Sequence, residues 1–312
     1  MQSDHRTDEC VEGTVMALGN FDGIHQGHRV IIEETSRQAR DRGCKSSVLL
    51  LNPHPMQFFK KAPGPFLLTT IGSKRAMFKD LGIECVFIEE FDSQFASLEP
   101  GAFVRDCLVQ KYQVRGVVVG FDYAFGSRGA GKTHHLEELG KAHGFSVTVK
   151  DAVSLGGQVV SSTLIRSKVA QGLMEEAALY LGYPYHIHGR VIQGSRLGRT
   201  LGYPTANLDV DPAIMLPKKG VYLSTARCQE RSYHALTNVG FKPTVSGQSL
   251  SVEIHLLNFN GDIYGEELNV SFLQRMRNEK VFKNTEELKA QIYQDIRQGE
   301  SLFREKYGTG KI

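Results

Sequence analysis

Short apolar or β-branched runs alternate with longer stretches of helical period through the first 180 or so positions. Val15–Leu18, Ser47–Leu51, Cys85–Ile88, Gly116–Val119 and Phe145–Val149 read as strands. Helical patterns lie between them at Gln26–Asp41, Ser73–Leu81, Pro100–Lys111 and His135–His143. This βαβα order predicts a parallel, doubly wound sheet. From about Tyr185 the texture changes. Strand-like runs recur at His186–Ile192, Val221–Ala226, Tyr233–Val239, Ser251–Leu257 and Glu267–Phe272, separated by Gly, Pro and Asn turns. Helical pattern returns near Thr285–Gln298. An antiparallel barrel or sandwich with one C-terminal helix follows. The 312 residues suit two domains, with a boundary near Gly182–Tyr185 that divides 1–183 from 184–312.

Ligands of doubly wound sheets bind beyond the carboxyl ends of the strands. Three unusual loops stand at such ends: Gly19–His28, Asn52–Pro55 and Gly120–Gly126. The first reads Gly-Asn-Phe-Asp-Gly-Ile-His-Gln-Gly-His and runs from a strand into a helix. Its spacing places His25 and His28 on one face of the first helical turn. Unpaired N–H groups and the positive end of the helix dipole attract phosphate there. Gly19, Gly23 and Gly27 admit a ligand where a Cβ would clash. With Asp22, the stretch reads as a site for a nucleotide triphosphate.

In Asn52-Pro-His-Pro55 two prolines stiffen the turn around His54, which is either a presented polar group or an incidental member of a rigid loop. Ser161-Ser-Thr-Leu-Ile-Arg166 opens a helix; three hydroxyls and an arginine exceed what capping requires, and Arg166 can clamp a phosphate. Gly126–Thr133 matches the P-loop pattern GxxxxGK[ST], yet Phe121-Asp-Tyr-Ala-Phe125 separates it from its strand, which argues against that reading. The aromatic run suits either stacking on a planar ring or core packing. In the second half, Gly194–Asn207 is dense in glycine, arginine and hydroxyl groups, with Arg196 and Arg199 as phosphate partners. Thr205 and Asn207 share one side of an extended segment and offer oxygen ligands for Mg²⁺. Glu253, between Val252 and Ile254, can take a proton from a substrate hydroxyl during phosphoryl transfer, or simply face solvent.

A formal net charge of +3 implies no nucleic-acid partner. Five dispersed cysteines with no zinc spacing suit reduced thiols. A polar N-terminus and the lack of a long apolar run suggest a cytoplasmic protein with no membrane partner.

Taken together, these motifs resemble the prokaryotic bifunctional riboflavin kinase/FAD synthetase family from about Thr14 to Arg297. The first half is similar to the pattern GxFDGxHxGH at Gly19–His28, then PHP, a GxDFxFG-like Gly120–Gly126 and SSTxIR at Ser161–Arg166. The second half resembles GRxLGxPTAN at Gly198–Asn207, then Asn238–Thr244, Val252–His255, Tyr264-Gly265 and Met276–Phe282. Departures are few: Leu51-Asn52 before PHP, Tyr123, Tyr203, and Lys132-Thr133. The fold that the resemblance implies is an α/β Rossmann-like nucleotidylyltransferase domain, then a six-stranded Greek-key β-barrel with a C-terminal helix.

The activity it implies is phosphorylation of riboflavin to FMN by ATP, then adenylylation of FMN to FAD with release of pyrophosphate. By the same resemblance, His25 and His28 stabilise charge in adenylyl transfer, and Ser161, Ser162, Thr163 and Arg166 grip pyrophosphate. Gly19, Phe21, Asp22 and Gly27 help bind that ATP. Asn52, His54, Asp122 and Phe125 contact the flavin. Gly198, Arg199, Thr205 and Asn207 bind the kinase's ATP with Mg²⁺, and Glu253 is the kinase base. Two other readings are weighed: a nucleotidylyltransferase for another phosphorylated acceptor, and a flavin-binding regulator without turnover. The second domain opposes the first; intact His25, His28, Asn207 and Glu253 oppose the second.

Overall fold

The structure, a computed structural model, describes residues 13–61, 64–194, 198, 201–244 and 247–307, with backbone alone for 242–244, 247–249 and 307. The chain divides into two compact units, Met1–Ser162 and Thr163–Ile312.

Five parallel strands form the sheet of the first unit: β1 (Val15–Leu18), β2 (Ser46–Asn52), β3 (Cys85–Glu90), β4 (Gly116–Gly120) and β5 (Ser146–Lys150), in the order β3-β2-β1-β4-β5. Both faces are covered, as parallel sheets require. On one face Val15 and Ala17 pack with Ile31, Ile32 and Phe78, which come from helices α1 (Gln26–Asp41) and α2 (Ile71–Asp80). On the other, Met16 and Leu18 join Phe103, Leu108 and Leu136. The expected helix at 100–111 is present, but Phe103–Lys111 is wound as a π-helix. Strand order reverses at β1, which places the crevice of the switch point beside the carboxyl ends of β1 and β4.

Six antiparallel strands close a barrel in the second unit: β6 (His186–Ile192), β7 (Ala206–Val210), β8 (Gly220–Cys228), β9 (Arg231–Thr244), β10 (Gly247–Leu256) and β11 (Glu267–Arg277), ordered β6-β7-β10-β9-β8-β11. The barrel is thus the outcome, not the sandwich. β7 is absent from the strand runs read from sequence: its five residues follow a glycine-rich segment and carry two polar side chains, Asn207 and Asp209. Tyr222, Ser224, Thr237, Val252, Ile254, Val270 and Phe272 are buried inside. The only polar pair among them, Ser224 and Thr237, is hydrogen-bonded at 2.7 Å, which removes its burial cost. Alternate positions face outward. There Leu223 and Leu236 pack with Phe303 of the C-terminal helix Thr285–Tyr307, which runs past the expected end at Gln298. His234 stacks on Phe303 with ring centres 3.8 Å apart, and burial lowers its pKa.

Helices Ser162–Gln171 and Met174–Leu181 belong with the second unit: Lys218 N–H donates to the Val169 carbonyl, and Lys306 pairs with Glu175 at 2.9 Å. Among the described residues Cys44, Cys107 and Cys228 are free thiols. No helix among the described residues is long and apolar enough to cross a membrane.

Phe303 is 3 % exposed. Phe303→Ala should destabilise the second unit by about 3–4 kcal/mol through lost burial and a residual cavity. Urea unfolding followed by the activity of that unit measures it.

Candidate active sites

The loop from β1 into α1 is held in an unusual conformation. Phe21, Gly23 and Ile24 all have positive φ, at 46°, 82° and 32°. Phenylalanine and isoleucine adopt this region only under constraint. Both side chains are fully buried, which offsets part of the cost. The rest comes from Asp22, 1 % exposed, whose carboxylate accepts the N–H groups of Leu68 and Thr69 at 3.0–3.1 Å. Thr69 Oγ1 also accepts from Gly23 N–H at 3.0 Å, and Ser162 Oγ donates to the Asp22 carbonyl at 2.8 Å. Asp22 therefore sets the loop's shape.

His25 caps α1, and its Nδ1 accepts the His28 N–H at 3.3 Å. An accepting Nδ1 leaves Nε2 as the proton-bearing nitrogen of the neutral ring. The rings of His25 and His28 stack with centroids 3.6 Å apart and 13° between planes. No acidic residue occupies the first turn of α1, so the positive end of the helix is not neutralised. A Cβ on Gly27 would lie 3.2 Å from the His25 ring, so a glycine is what allows the ring to lie over the helix start. Gly19 approaches the Phe21 ring in the same way.

The neighbouring candidates are placed as follows. His54 Nδ1 accepts from Met56 N–H at 3.1 Å and caps the turn Pro55–Phe58, with its ring against Phe66. Asn52 is exposed at the end of β2 and Asp122 is exposed after β4. Phe125 is buried against Phe103 and stacks on Tyr123, which is core packing; Phe121, half exposed, is the accessible aromatic. Ala124–Phe125 pairs with Gly131–Lys132, so the P-loop-like stretch is a hairpin turn and not a strand-to-helix phosphate loop. Ser161 and Ser162 close the first unit, while Thr163 and Arg166 sit on the first turns of the next helix, in the second.

A second constellation lies on the outer wall of the barrel. Asn207, Glu253 and Asn238 are register partners across β7, β10 and β9, and cross-strand partners project to one face. Thr205, Asn238 and Glu253 line a cavity of about 230 Å³. Its other wall comes from Leu288, Ile292, Asp295 and Ile296 of the C-terminal helix. A bidentate pair, Arg277 to Asp295 at 2.7–3.1 Å, ties that helix to β11, and Gln291 also donates to Asp295. Such a fork–fork bond fixes geometry as well as charge. Gly194 packs directly on the Asn207 side chain: a Cβ there would fall 2.1 Å from Nδ2. Gly198 packs on the Tyr203 carbonyl and Thr205. Arg199 and Arg196 lie outside the described residues.

No cluster of three or more His, Cys, Asp or Glu suited to a metal occurs among the described residues. A protein-built cage for Mg²⁺ is therefore lacking there, whereas the Thr205 hydroxyl and the Asn207 carboxamide oxygen suit a Mg²⁺ that takes its other ligands from phosphates and water.

Residues 7–164 match the family model for FAD synthetase and residues 181–303 match that for riboflavin kinase. The bifunctional riboflavin kinase/FMN adenylyltransferase of Escherichia coli K12 is 36 % identical over 96 % of this chain and 95 % of its own. That of Listeria monocytogenes is 36 % identical over 95 % of each chain. The chain belongs to the bifunctional riboflavin kinase/FAD synthetase family. Its activity is that of a riboflavin kinase and FMN adenylyltransferase. A Streptococcus pneumoniae crystal structure named as a macrolide-efflux protein shares the fold of this flavin enzyme, with a TM-score of 0.82 and 31 % identity over 93 % of this chain and 94 % of that one.

Sequence reasoning missed Thr69 and Lys74, which hold the histidine loop, and the Arg277–Asp295 tie. None carries a local signature: each acquires its role from a partner at least 18 positions away. Gly27→Ala should push the His25 ring aside and lower FAD formation about tenfold, since sub-ångström misplacement of a reacting group is costly. Assay of FAD made from supplied FMN measures it, with FMN formation from riboflavin unchanged.

Proposed function

We propose that residues 1–183 adenylylate FMN and residues 184–312 phosphorylate riboflavin, with separate sets of side chains for the two steps. The observation that carries this reading is the row Asn207–Glu253–Asn238 beside a cavity, far in sequence from the stacked His25–His28 pair at a helix start. In the first step Glu253 takes the proton of the ribityl 5′-hydroxyl, whose oxygen attacks the γ-phosphorus of ATP; ADP leaves and FMN forms. Gly198 and Arg199 bind the phosphates of that ATP. Thr205 and Asn207 hold Mg²⁺, which draws off phosphate charge when bound.

In the second step a phosphate oxygen of FMN attacks the α-phosphorus of another ATP, and pyrophosphate leaves. The Nε2–H of His25, the ring of His28 and the positive end of the α1 dipole stabilise the charge that develops on the phosphates. Ser161, Ser162, Thr163 and Arg166 grip the departing pyrophosphate. Asn52, His54 and Asp122 border the flavin, and the exposed Phe121 offers a face for its ring. Phe125 supports this region from the core. Riboflavin, FMN, FAD and ATP are then the small-molecule partners. We place the enzyme in the cytoplasm, with no nucleic-acid or membrane partner.

The test is product analysis after incubation with riboflavin, ATP and Mg²⁺. His28→Ala should cut FAD formation by about 10²–10³-fold while FMN accumulates. Glu253→Gln should cut FMN formation by about 10²–10⁴-fold and leave adenylylation of supplied FMN intact. Loss of both steps in either folded variant would contradict the two-site reading.

A further inference from the structure

Lys74 is 3 % exposed, and lysine is almost never so buried unless paired. It lies on α2, outside the histidine, PHP and SSTxIR motifs, yet its ammonium is aimed at the histidine loop. Nζ donates to the Asn20 carbonyl at 3.0 Å and lies 3.9 Å from Asp22 Oδ1. Asn20 and Asp22 flank Phe21, the first left-handed residue of the loop. Asp22 is in turn bound by Leu68 and Thr69, at the entry to α2, whose first turn is capped by Thr70. One helix start thus holds the loop by its backbone and by its buried carboxylate together. A methionine would fill the same space without the desolvation of a charge; what the ammonium adds is a fixed position for a carbonyl and a carboxylate that lead into His25.

We propose that Lys74 is a positioning residue for adenylyl transfer, acting through Asn20 and Asp22 to fix His25 and His28. This rests on the reading of those histidines as the adenylyl-transfer groups. Lys74 touches no reacting atom on this account. Its removal should lower the turnover of FMN adenylylation and leave riboflavin phosphorylation, performed by the other unit, untouched.

The experiment uses the full chain with Lys74→Met, Lys74→Ala and Thr69→Val. FAD formation from FMN and ATP is measured as kcat and KM, and FMN formation from riboflavin in the same samples reports the integrity of the rest of the protein. Lys74→Met should lower kcat for FAD formation about 10–100-fold, in proportion to a misplacement near 1 Å, with the change in KM for ATP smaller than the change in kcat. Lys74→Ala should recover part of its FAD activity in ethylammonium, which can donate N–H bonds, and none in tetramethylammonium, which cannot. Thr69→Val, which removes one hydroxyl from the same network, should lose activity in the same direction.

A folded Lys74→Met enzyme with FAD formation within twofold of the parent would overturn the proposal. So would equal response of Lys74→Ala to the two ammonium salts, which marks a packing role. Should the Lys74 variants fail to fold, an unchanged Thr69→Val enzyme overturns it. His28→Ala separates the two layers: if that variant keeps full FAD formation, the histidine reading fails, whatever the Lys74 variants do.

Discussion

The carboxylate of Asp22, sealed from water and wrapped by backbone N–H groups of Leu68 and Thr69, is the constraint on which the adenylylation site depends. Charge-assisted bonds of this kind are stronger than neutral ones, and a buried carboxylate deprived of them would be very costly. The loop that carries this carboxylate bends through three positive φ values. That bend delivers His25 to the cap of α1 and lets its ring stack on His28. Packing, electrostatics and site geometry are therefore one arrangement here. The burial of Phe21 and Ile24 and the charge of Lys74 serve the same bend.

The kinase site is built differently. It depends on strand register, which puts Asn207, Glu253 and Asn238 in one row on the outside of a closed barrel. A slip of one residue in any of these strands would turn its member of the row inward. The hydrophobic interior, with Val252 and Ile254 on either side of Glu253, prevents that slip. The C-terminal helix then supplies the facing wall and is locked by Arg277 and Asp295. The two sites illustrate two ways to fix polar groups: a strained loop tied by a buried charge, and a sheet whose register is set by its core.

Much of this was legible in the residues. Period and order alone pointed to the doubly wound sheet, because strands buried on both faces show as unbroken apolar runs such as Val117–Val119. The phosphate-facing helix start was visible in the glycines and histidines of Gly19–His28. Other features were not. β7 was obscured because Asn207 and Asp209 break its apolar pattern, and its strand character comes from pairing with β6 and β10. The structural role of Asp22 was not visible, because its partners lie 46 and 47 positions away and no local rule reveals them. Phe125 looked like a stacking ring and is a core residue, since the hairpin 124–132 turns it inward against Phe103. Lys74 had no signal: a lysine on an amphipathic helix ordinarily faces water.

One chain performs two successive ATP-dependent transfers, with FMN formed first. Phosphorus NMR of the unmodified enzyme, supplied with riboflavin, Mg²⁺ and excess ATP, tests it most directly. FMN should rise before FAD, and each FAD formed should be matched by one ADP and one pyrophosphate. Appearance of FAD without an FMN phase or without matching pyrophosphate, or ADP production that never leads to FAD, would contradict it.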